Sequence, residues 1–350
     1  MTKIDIISGF LGAGKTTFIK KMLEEVFSGE KVVLVENEYG EVGIDGGFLK
    51  DSGIEIKELN SGCICCSLVG DFNRSLNEVI ETYHPDRILI EPSGVGKLSD
   101  VMSSVKDMEK DHDVKLNALV TVANAMKATK QMKAFGEFFN NQIENATTVV
   151  LSRTQNMKEE KLELCVKEIQ KLNPKAAIIT TPWDSISGEQ ILKVIEQQDS
   201  LMQEMMKEYE EHHHDHEHEH HHDHDHDHEH HHDHDHDHGE GCTCGCHDHD
   251  HHHHDHDADE VFISWGKETP HKYTKEKIES ILKTFCDTED YGTILRAKGM
   301  VPAEDGTWIY FDMVPGEYEL RDGEPDYTGR LCVIGTDIDE HKLEELFELN

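Results

Sequence analysis

The stretch Gly9-Phe10-Leu11-Gly12-Ala13-Gly14-Lys15-Thr16 decides the fold of this chain. It fits the pattern G-x-x-x-x-G-K-[ST], follows a short apolar segment and opens an amphipathic one, which is the context that the pattern requires. Glycines in such a loop let backbone N–H groups converge on phosphate oxygens, and the N-terminus of the next helix favours negative charge. The alternative is a glycine-rich turn that precedes a helix and binds nothing. The stretch predicts a nucleotide-binding loop whose residues are Gly9, Gly12, Ala13, Gly14, Lys15, Thr16 and Thr17.

Three side chains at this loop have predicted chemical roles. Lys15 would reach the outer phosphates of a nucleotide, and Thr16 would bind Mg²⁺ through its hydroxyl. Glu91 follows the apolar run of residues 88–90 and precedes Pro92-Ser93-Gly94. A carboxylate at the tip of a buried strand suits a Mg²⁺ site, although a strand-end turn with an exposed Glu91 is the alternative. We therefore predict Lys15 and Glu91 as catalytic residues, and Thr16 and Glu91 as Mg²⁺ ligands.

Short apolar segments alternate with amphipathic ones through the first 207 residues. The predicted strands are residues 4–8, 31–35, 54–59, 87–90, 116–122, 148–151 and 176–180, and the predicted helices include residues 17–26, 72–83, 158–172 and 189–209. Strands that alternate with helices imply right-handed crossovers and a mostly parallel sheet. Residues 1–207 are therefore predicted to form an α/β domain with a doubly wound sheet, the fold of P-loop nucleoside triphosphatases.

Two further segments complete the chain of 350 residues. Residues 208–260 form a His/Asp/Glu-rich linker, which cannot bury apolar surface and is expected to be disordered without metal. Residues 261–350 are predicted to form a small α+β domain. Its predicted strands are residues 261–265, 293–298, 308–314 and 331–334, and its predicted helices are residues 274–285 and 339–349.

Charge and cysteine content limit the class of protein. The formal net charge of −38 argues against general binding to nucleic acid or to anionic membrane surfaces. The N-terminus resembles no signal peptide, and no apolar stretch reaches the roughly 20 residues that span a bilayer. Nine cysteines without such a signal indicate thiols or metal ligands in a reducing cytosol.

The histidines point to metal. Of the 28 histidines, 24 lie between His212 and His256, in a segment without Lys or Arg. Imidazoles bind Zn²⁺, Ni²⁺ and Co²⁺, and a cysteine island adds soft ligands. A purification tag or a solvated acidic linker are the alternatives, and neither explains the alternating acids together with the histidines. The predicted ligands of the island are Cys242, Cys244, Cys246 and His247.

A second thiol cluster, Gly62-Cys63-Ile64-Cys65-Cys66, places three soft ligands within four residues. Taken alone it is weak evidence, because buried free cysteines are common. Cys165, Cys286 and Cys332 are interpreted as core thiols, and the isolated His271 and His341 as surface residues.

The order of these motifs resembles a known family. The phosphate loop, Glu36-Asn37-Glu38-Tyr39-Gly40-Glu41, Cys63 to Cys66 and the Glu91 segment resemble the CobW-type GTP-binding metallochaperones, relatives of the HypB and UreG nickel-delivery GTPases. The resemblance implies that Cys63, Cys65 and Cys66 bind the transferred metal and that residues 36–41 belong to an adjacent switch. It adds Glu38 and Glu41 to the expected metal ligands.

One departure concerns base recognition. Members of this family usually read guanine with Asn-Lys-x-Asp, whereas Ser152-Arg153-Thr154-Gln155 stands here. An aspartate accepts from two adjacent N–H groups of guanine, whereas a glutamine offers one acceptor and one donor. We expect Ser152, Arg153 and Gln155 to contact the base, with GTP as the nucleotide and ATP as the alternative.

These observations together predict a cytosolic, Mg²⁺-dependent GTPase that carries Zn²⁺, or else Ni²⁺ or Co²⁺, to a client apoprotein, with homodimerisation left open. The alternatives are an insertion factor for one nickel or cobalt enzyme or for the cobalamin pathway, and a metal-storage protein with vestigial nucleotide binding.

Overall fold

The computed structural model describes residues 1–36, 55–58, 69–94, 96–196 and 263–349. Within these ranges the chain forms a parallel α/β domain and an antiparallel C-terminal domain. No helix in the described ranges is both long enough and apolar enough to cross a membrane.

The N-terminal domain is built on a seven-stranded sheet in the order β3-β2-β4-β1-β5-β6-β7. Every neighbouring pair is parallel, so the predicted doubly wound sheet is confirmed. The strands start and end within a few residues of the predicted positions. They are β1 (Thr2–Ser8), β2 (Val32–Glu36), β3 (Glu55–Glu58), β4 (Arg87–Glu91), β5 (Val114–Asn124), β6 (Thr148–Ser152) and β7 (Ala177–Ile179).

Continuous apolar runs make these strands suitable for burial on both faces. Val33, Ile88 and Ile90 face one hydrophobic cluster, whereas Leu34 and Leu89 face the other. Helices cover both faces. They are α1 (Lys15–Glu25), α2 (Val69–Tyr83), α3 (Leu98–Met108), α4 (Ala128–Ala134), α5 (Gly136–Glu144), α6 (Glu159–Leu172) and α7 (Gly188–Ile195).

The C-terminal domain is a five-stranded antiparallel sheet in the order β11-β10-β9-β12-β8, with two helices. The elements are β8 (Ile263–Thr269), α8 (Lys275–Asp287), β9 (Thr293–Pro302), β10 (Trp308–Val314), β11 (Glu317–Gly323), β12 (Gly329–Thr336) and α9 (Glu340–Leu346). Strand β11 was not predicted from the sequence. It is an edge strand whose residues are all exposed or half-buried, and only Tyr318 and Leu320 pack on the core, so its apolar signal is too short to mark a strand.

Residues 325–328 join the two domains. Tyr327, only 3% exposed, packs into the hydrophobic cluster of the N-terminal domain that contains α1 and α7. Its carbonyl oxygen accepts hydrogen bonds from the backbone N–H groups of Thr180 (2.9 Å) and Thr181 (3.1 Å). The C-terminal domain thereby holds the loop that follows β7.

Candidate nucleotide site

The predicted phosphate loop lies between β1 and α1, as the motif requires. Gly9 and Gly14 have φ angles of +152° and +104°, in a region that disfavours other residues. A Cβ at Gly9 would also overlap the carbonyl oxygen of Val122, so the loop needs glycine there. Gly14 caps α1 without a side-chain hydrogen bond, and the N–H groups in the first turn of such a helix are the donors that bind a phosphate.

Lys15 and Glu91 lie together at the carboxyl edge of the sheet. Both side chains are buried, 4% and 3% exposed, and Lys15 Nζ lies 3.7 Å from Glu91 Oε1. That separation exceeds a hydrogen bond, so the two side chains form an ion pair without a direct hydrogen bond between these atoms. Glu91 ends β4, as predicted, and is buried rather than exposed in a turn.

The segment after Glu91 touches the phosphate loop directly. A Cβ at Gly94 would lie 3.0 Å from the backbone nitrogen of Leu11, so the two backbones approach each other closely there. Gln142 fixes the same segment by donating to the carbonyl oxygens of Gly94 (3.2 Å) and Gly96 (2.9 Å). Residues 92–94 are therefore placed to respond to what the phosphate loop holds.

The strand ends of β2 and β3 lie at the same edge. Glu36 pairs in register with Glu91 of β4 on one side and with Glu58 of β3 on the other. The predicted switch, residues 36–41, begins at the last residue of β2, and the predicted thiol cluster follows β3 in the sequence. Those candidate ligands lie outside the described residues. They are Glu38, Glu41, Cys63, Cys65, Cys66, Cys242, Cys244, Cys246 and His247.

The predicted base-recognition segment lies beside the phosphate loop. Ser152, at the end of β6, donates its hydroxyl hydrogen to the carbonyl oxygen of Ala13 at 2.6 Å. Arg153 and Gln155 are exposed, and Arg153 adopts a left-handed backbone with φ of +62°. Both side chains thus stand on the surface, in the segment that follows Ser152.

Trp183 is a further residue at this site. Its indole N–H donates to the carbonyl oxygen of Leu151 (3.0 Å), and its ring packs on Phe18 with centroids 5.5 Å apart. A Cβ at Gly14 would lie 3.4 Å from the same ring. Trp183 therefore packs against the end of the phosphate loop at Gly14.

Oxygen donors at this edge fit a hard cation. Thr16 stands half-buried in the first turn of α1, and the Glu91 carboxylate lies at the strand tip beside the loop. A hydroxyl and a carboxylate are ligands that Mg²⁺ accepts, and bound phosphates would complete its coordination. The donor set therefore fits Mg²⁺.

Comparisons with known proteins agree with this geometry. Residues 3–180 match the family model described as CobW/HypB/UreG, nucleotide-binding domain, and residues 262–349 match the Cobalamin synthesis protein cobW C-terminal domain. The zinc chaperone YeiR of Escherichia coli is 34% identical over 154 residues, which are 44% of this chain and 47% of that protein. The zinc-regulated GTPase metalloprotein activator 1 of Schizosaccharomyces pombe is 29% identical over 188 residues, 51% of this chain and 46% of that protein.

Among solved structures, the Zn(II)-bound YjiA GTPase from E. coli aligns with 99% of this chain and 98% of its own, at 18% identity and a TM-score of 0.44. The chain spans about half the length of the two curated relatives described above.

Proposed function

The chain belongs to the CobW/HypB/UreG family, and we propose that it is a metallochaperone that hydrolyses GTP to control the binding and delivery of Zn²⁺ to a client apoprotein. The observation that carries this proposal is the glycine loop at the carboxyl edge of the parallel sheet, with Lys15 buried beside Glu91. Relatives named for zinc support the choice of metal. Nine cysteines suit a reducing cytosol, which we propose as the compartment.

In hydrolysis, the chain would hold the triphosphate for attack by water. The Lys15 ammonium and the N–H groups of the loop would stabilise the charge that develops on the γ-phosphate. Thr16 and Glu91 would hold Mg²⁺, which when bound neutralises charge on the outer phosphates. Intrinsic turnover is expected to be slow, and a client or a second copy of the chain would stimulate it.

Nucleotide state would reach the metal ligands through the shared edge of the sheet. In the sequence, residues 37–41 follow Glu36, which pairs with Glu91, and Cys63, Cys65 and Cys66 follow the neighbouring strand β3. Contacts to a γ-phosphate order switch segments, and hydrolysis releases them. We infer that these thiols, with Glu38 and Glu41, bind Zn²⁺ differently in the GTP and GDP states.

The test compares Zn²⁺ affinity in the two nucleotide states. A chelating dye competes for Zn²⁺ with the full chain in the presence of a non-hydrolysable GTP analogue or of GDP, and Lys15→Ala serves as the matched control. The proposal expects a difference of roughly tenfold in the wild type, typical of coupled sites, and none in Lys15→Ala. Equal affinities in the wild type would contradict nucleotide control.

The base preference has its own test, because Gln155 replaces the usual aspartate. Parallel titrations with fluorescent GTP and ATP analogues give the preference directly. Gln155→Asp restores the carboxylate that accepts from both guanine N–H groups, so it should raise the GTP preference at least tenfold. An unchanged ratio would place base reading elsewhere, with Trp183 as the next residue to vary.

A second candidate function is metal storage, which the 24 histidines between His212 and His256 favour. In that case Lys15→Ala would leave growth under metal limitation unaffected. Elemental analysis of the purified protein would identify the ion and would separate the zinc proposal from nickel or cobalt insertion.

A further inference from the structure

The seam between the two domains contains a second group of metal-ligating side chains. Glu159 and Glu163 lie one turn apart at the start of α6, and His271 lies between β8 and α8. One ligand atom of each lies within 4.8 Å of the other two. We refer to Glu159, Glu163 and His271 as the seam cluster. The sequence predicts His271 to be an isolated surface residue, and this expectation is wrong: its side chain is only 20% exposed and contacts the other domain.

The distances within the seam cluster are close to those of a coordination shell. His271 Nδ1 lies 2.7 Å from Glu163 Oε1 and 3.6 Å from Glu159 Oε1. Around a tetrahedral Zn²⁺ with bonds of about 2.0–2.2 Å, neighbouring ligand atoms lie roughly 3.3–3.6 Å apart. The Glu159 distance already fits, and the Glu163 distance must open by less than about 1 Å, a shift that a side chain can make.

One carboxylate is already held in place. The backbone N–H of Lys272 donates to Glu159 Oε1 at 2.8 Å, so the residue next to His271 orients this carboxylate. Such outer contacts fix the direction of a ligand before a metal arrives. A cavity of about 540 Å³ opens beside Glu163 and His271, which leaves room for a water ligand and a route of entry.

The charges around the seam cluster favour a cation. Glu348 lies 3.8 Å from His271 Nε2, but Lys277 already neutralises this carboxylate at 2.5 Å. For Glu159 and Glu163, His271 is the only ion-pair partner among the described residues. A neutral imidazole leaves both of these charges uncompensated at close range.

The carboxylates around the seam cluster also affect the pKa of the Tyr273 phenol. Its ring meets His271 edge-on with centroids 4.7 Å apart. Burial raises the pKa of Tyr273, and the carboxylates of Glu348, Glu163 and Glu159 raise it further. The negative charge of the seam therefore acts on a neutral neighbour of His271.

We propose that the seam cluster is a divalent transition-metal site, in which Glu159, Glu163 and His271 bind one Zn²⁺ and water completes the coordination. One imidazole and two carboxylates suit Zn²⁺ better than Mg²⁺, which prefers oxygen ligands alone. Because the ligands come from both domains, the ion would tie α6 to the segment before α8. This site is separate from the cysteines that are proposed to carry the transferred metal.

Histidine footprinting of the full chain tests the site one imidazole at a time. Diethyl pyrocarbonate modifies free imidazoles, and trypsin then releases His271 in the peptide of residues 268–272 and His341 in the peptide of residues 331–342. At Zn²⁺ about ten times its dissociation constant, modification of His271 should slow roughly tenfold. His341 is the internal control, because it is exposed with a single carboxylate, Glu345, at 3.9 Å.

Matched variants distinguish metal binding from the existing hydrogen bond between His271 and Glu163. Glu163→Gln keeps the size of the side chain but removes a ligand charge, and should abolish most of the slowing at His271, whereas Glu345→Gln should not. Glu159→Gln provides a second test if Glu163→Gln fails to fold, with far-UV circular dichroism as the check. Slowing that is equal at His271 and His341, or that persists in both ligand variants, would overturn the proposal and leave a plain His–Glu ion pair. Zn²⁺ taken up by the histidine-rich segment is common to all variants and cancels.

Discussion

The two ends of the parallel sheet each carry a buried ion pair on or beside the same strands, and the pairs differ in construction. At the carboxyl end, Lys15 follows β1 and lies 3.7 Å from Glu91 of β4. Towards the amino end, Asp5 of β1 is bridged directly by Arg87 of β4. Arg87 also bonds Glu30 at 2.9 Å.

The difference indicates that the amino end of the sheet has a structural role, whereas a ligand would bind at the carboxyl end. Arg87 also donates to Glu196 at 3.0 Å, and its guanidinium lies over the ring of Phe27 at 4.4 Å. A planar guanidinium that uses several donors at once is held in one geometry, whereas a lysine is a point charge on a flexible stem. We therefore expect the amino-end network to stabilise the sheet, and Lys15 to be the cation that a phosphate would meet.

Removing Arg87 should have the largest effect on stability. Arg87→Met leaves the buried Asp5 without its cation and should lower the free energy of unfolding by about 3–5 kcal/mol, as measured by urea denaturation. Nucleotide affinity of the folded fraction should not change. Lys97→Met is the control, because the exposed Lys97–Glu137 pair is screened by solvent and should contribute little to stability. Equal losses in the two variants would mean that the amino-end network is no more structural than a surface pair.

Lys15→Ala should have the opposite effects, a large loss of GTP turnover and a smaller loss of stability than in Arg87→Met. Because Lys15 is the cation next to the phosphate loop, GTP turnover should fall roughly 10²–10³-fold, which corresponds to about 2.7–4 kcal/mol of transition-state stabilisation. The urea midpoint should move less than in Arg87→Met. Single-turnover hydrolysis under saturating nucleotide is the measurement. Wild-type turnover in Lys15→Ala would remove this residue from the catalytic machinery.

The carboxyl end could be predicted from the sequence because its signals are local. The eight residues from Gly9 to Thr16 carry their own geometry, and Glu91 is marked by the apolar run that precedes it. The roles of Lys15 and Glu91 stay predictions, as do those of the cysteines outside the described residues.

The amino-end network and the seam were missed for a physical reason. Arg87 and Glu196 are 109 positions apart, and His271 is 108 positions from Glu163. Periodicity relates a residue to neighbours within a few turns, so it places an isolated histidine or arginine on the surface. Only the packing of elements that are distant in sequence reveals such partners.

A smaller effect on stability is expected from a substitution in the loop after β7, which contacts the C-terminal domain. The Thr181 hydroxyl donates to the carbonyl oxygen of Asp326, so Thr181→Val leaves that buried oxygen with one donor fewer and should cost about 1–3 kcal/mol. Because Trp183 follows in the same loop, dissociation of a fluorescent nucleotide should also become faster. Thr288→Val, at the exposed end of α8, is the control and should change neither measurement. Faster dissociation in both variants would exclude a specific role for the loop.

The smallest expected effect is on the pH dependence of folding stability, through Glu196 at the amino end of the sheet. Burial alone would raise the pKa of Glu196, but hydrogen bonds from Lys3, Arg87 and Asn117 hold it below its ordinary value of 4.5. A carboxyl group with a depressed pKa stabilises the fold above its unfolded pKa, and this stability is lost as the pH falls through the folded pKa. Burial raises the pKa of Asp5, so protonation of that group acts with the opposite sign.

Glu196→Gln tests the contribution of the Glu196 carboxylate to the pH dependence of stability. Urea midpoints at about pH 7 and about pH 3.5 should differ less in Glu196→Gln than in the wild type, because the variant has no carboxylate to protonate there. Glu189→Gln, on the first turn of α7, is the matched control and should keep the wild-type difference. If both variants kept it, the acid sensitivity of this end would come from groups other than Glu196. The network would then be tied together by the bonds of Arg87 to Asp5 and Glu30, and its distinction from the Lys15–Glu91 pair would rest on those two ion pairs.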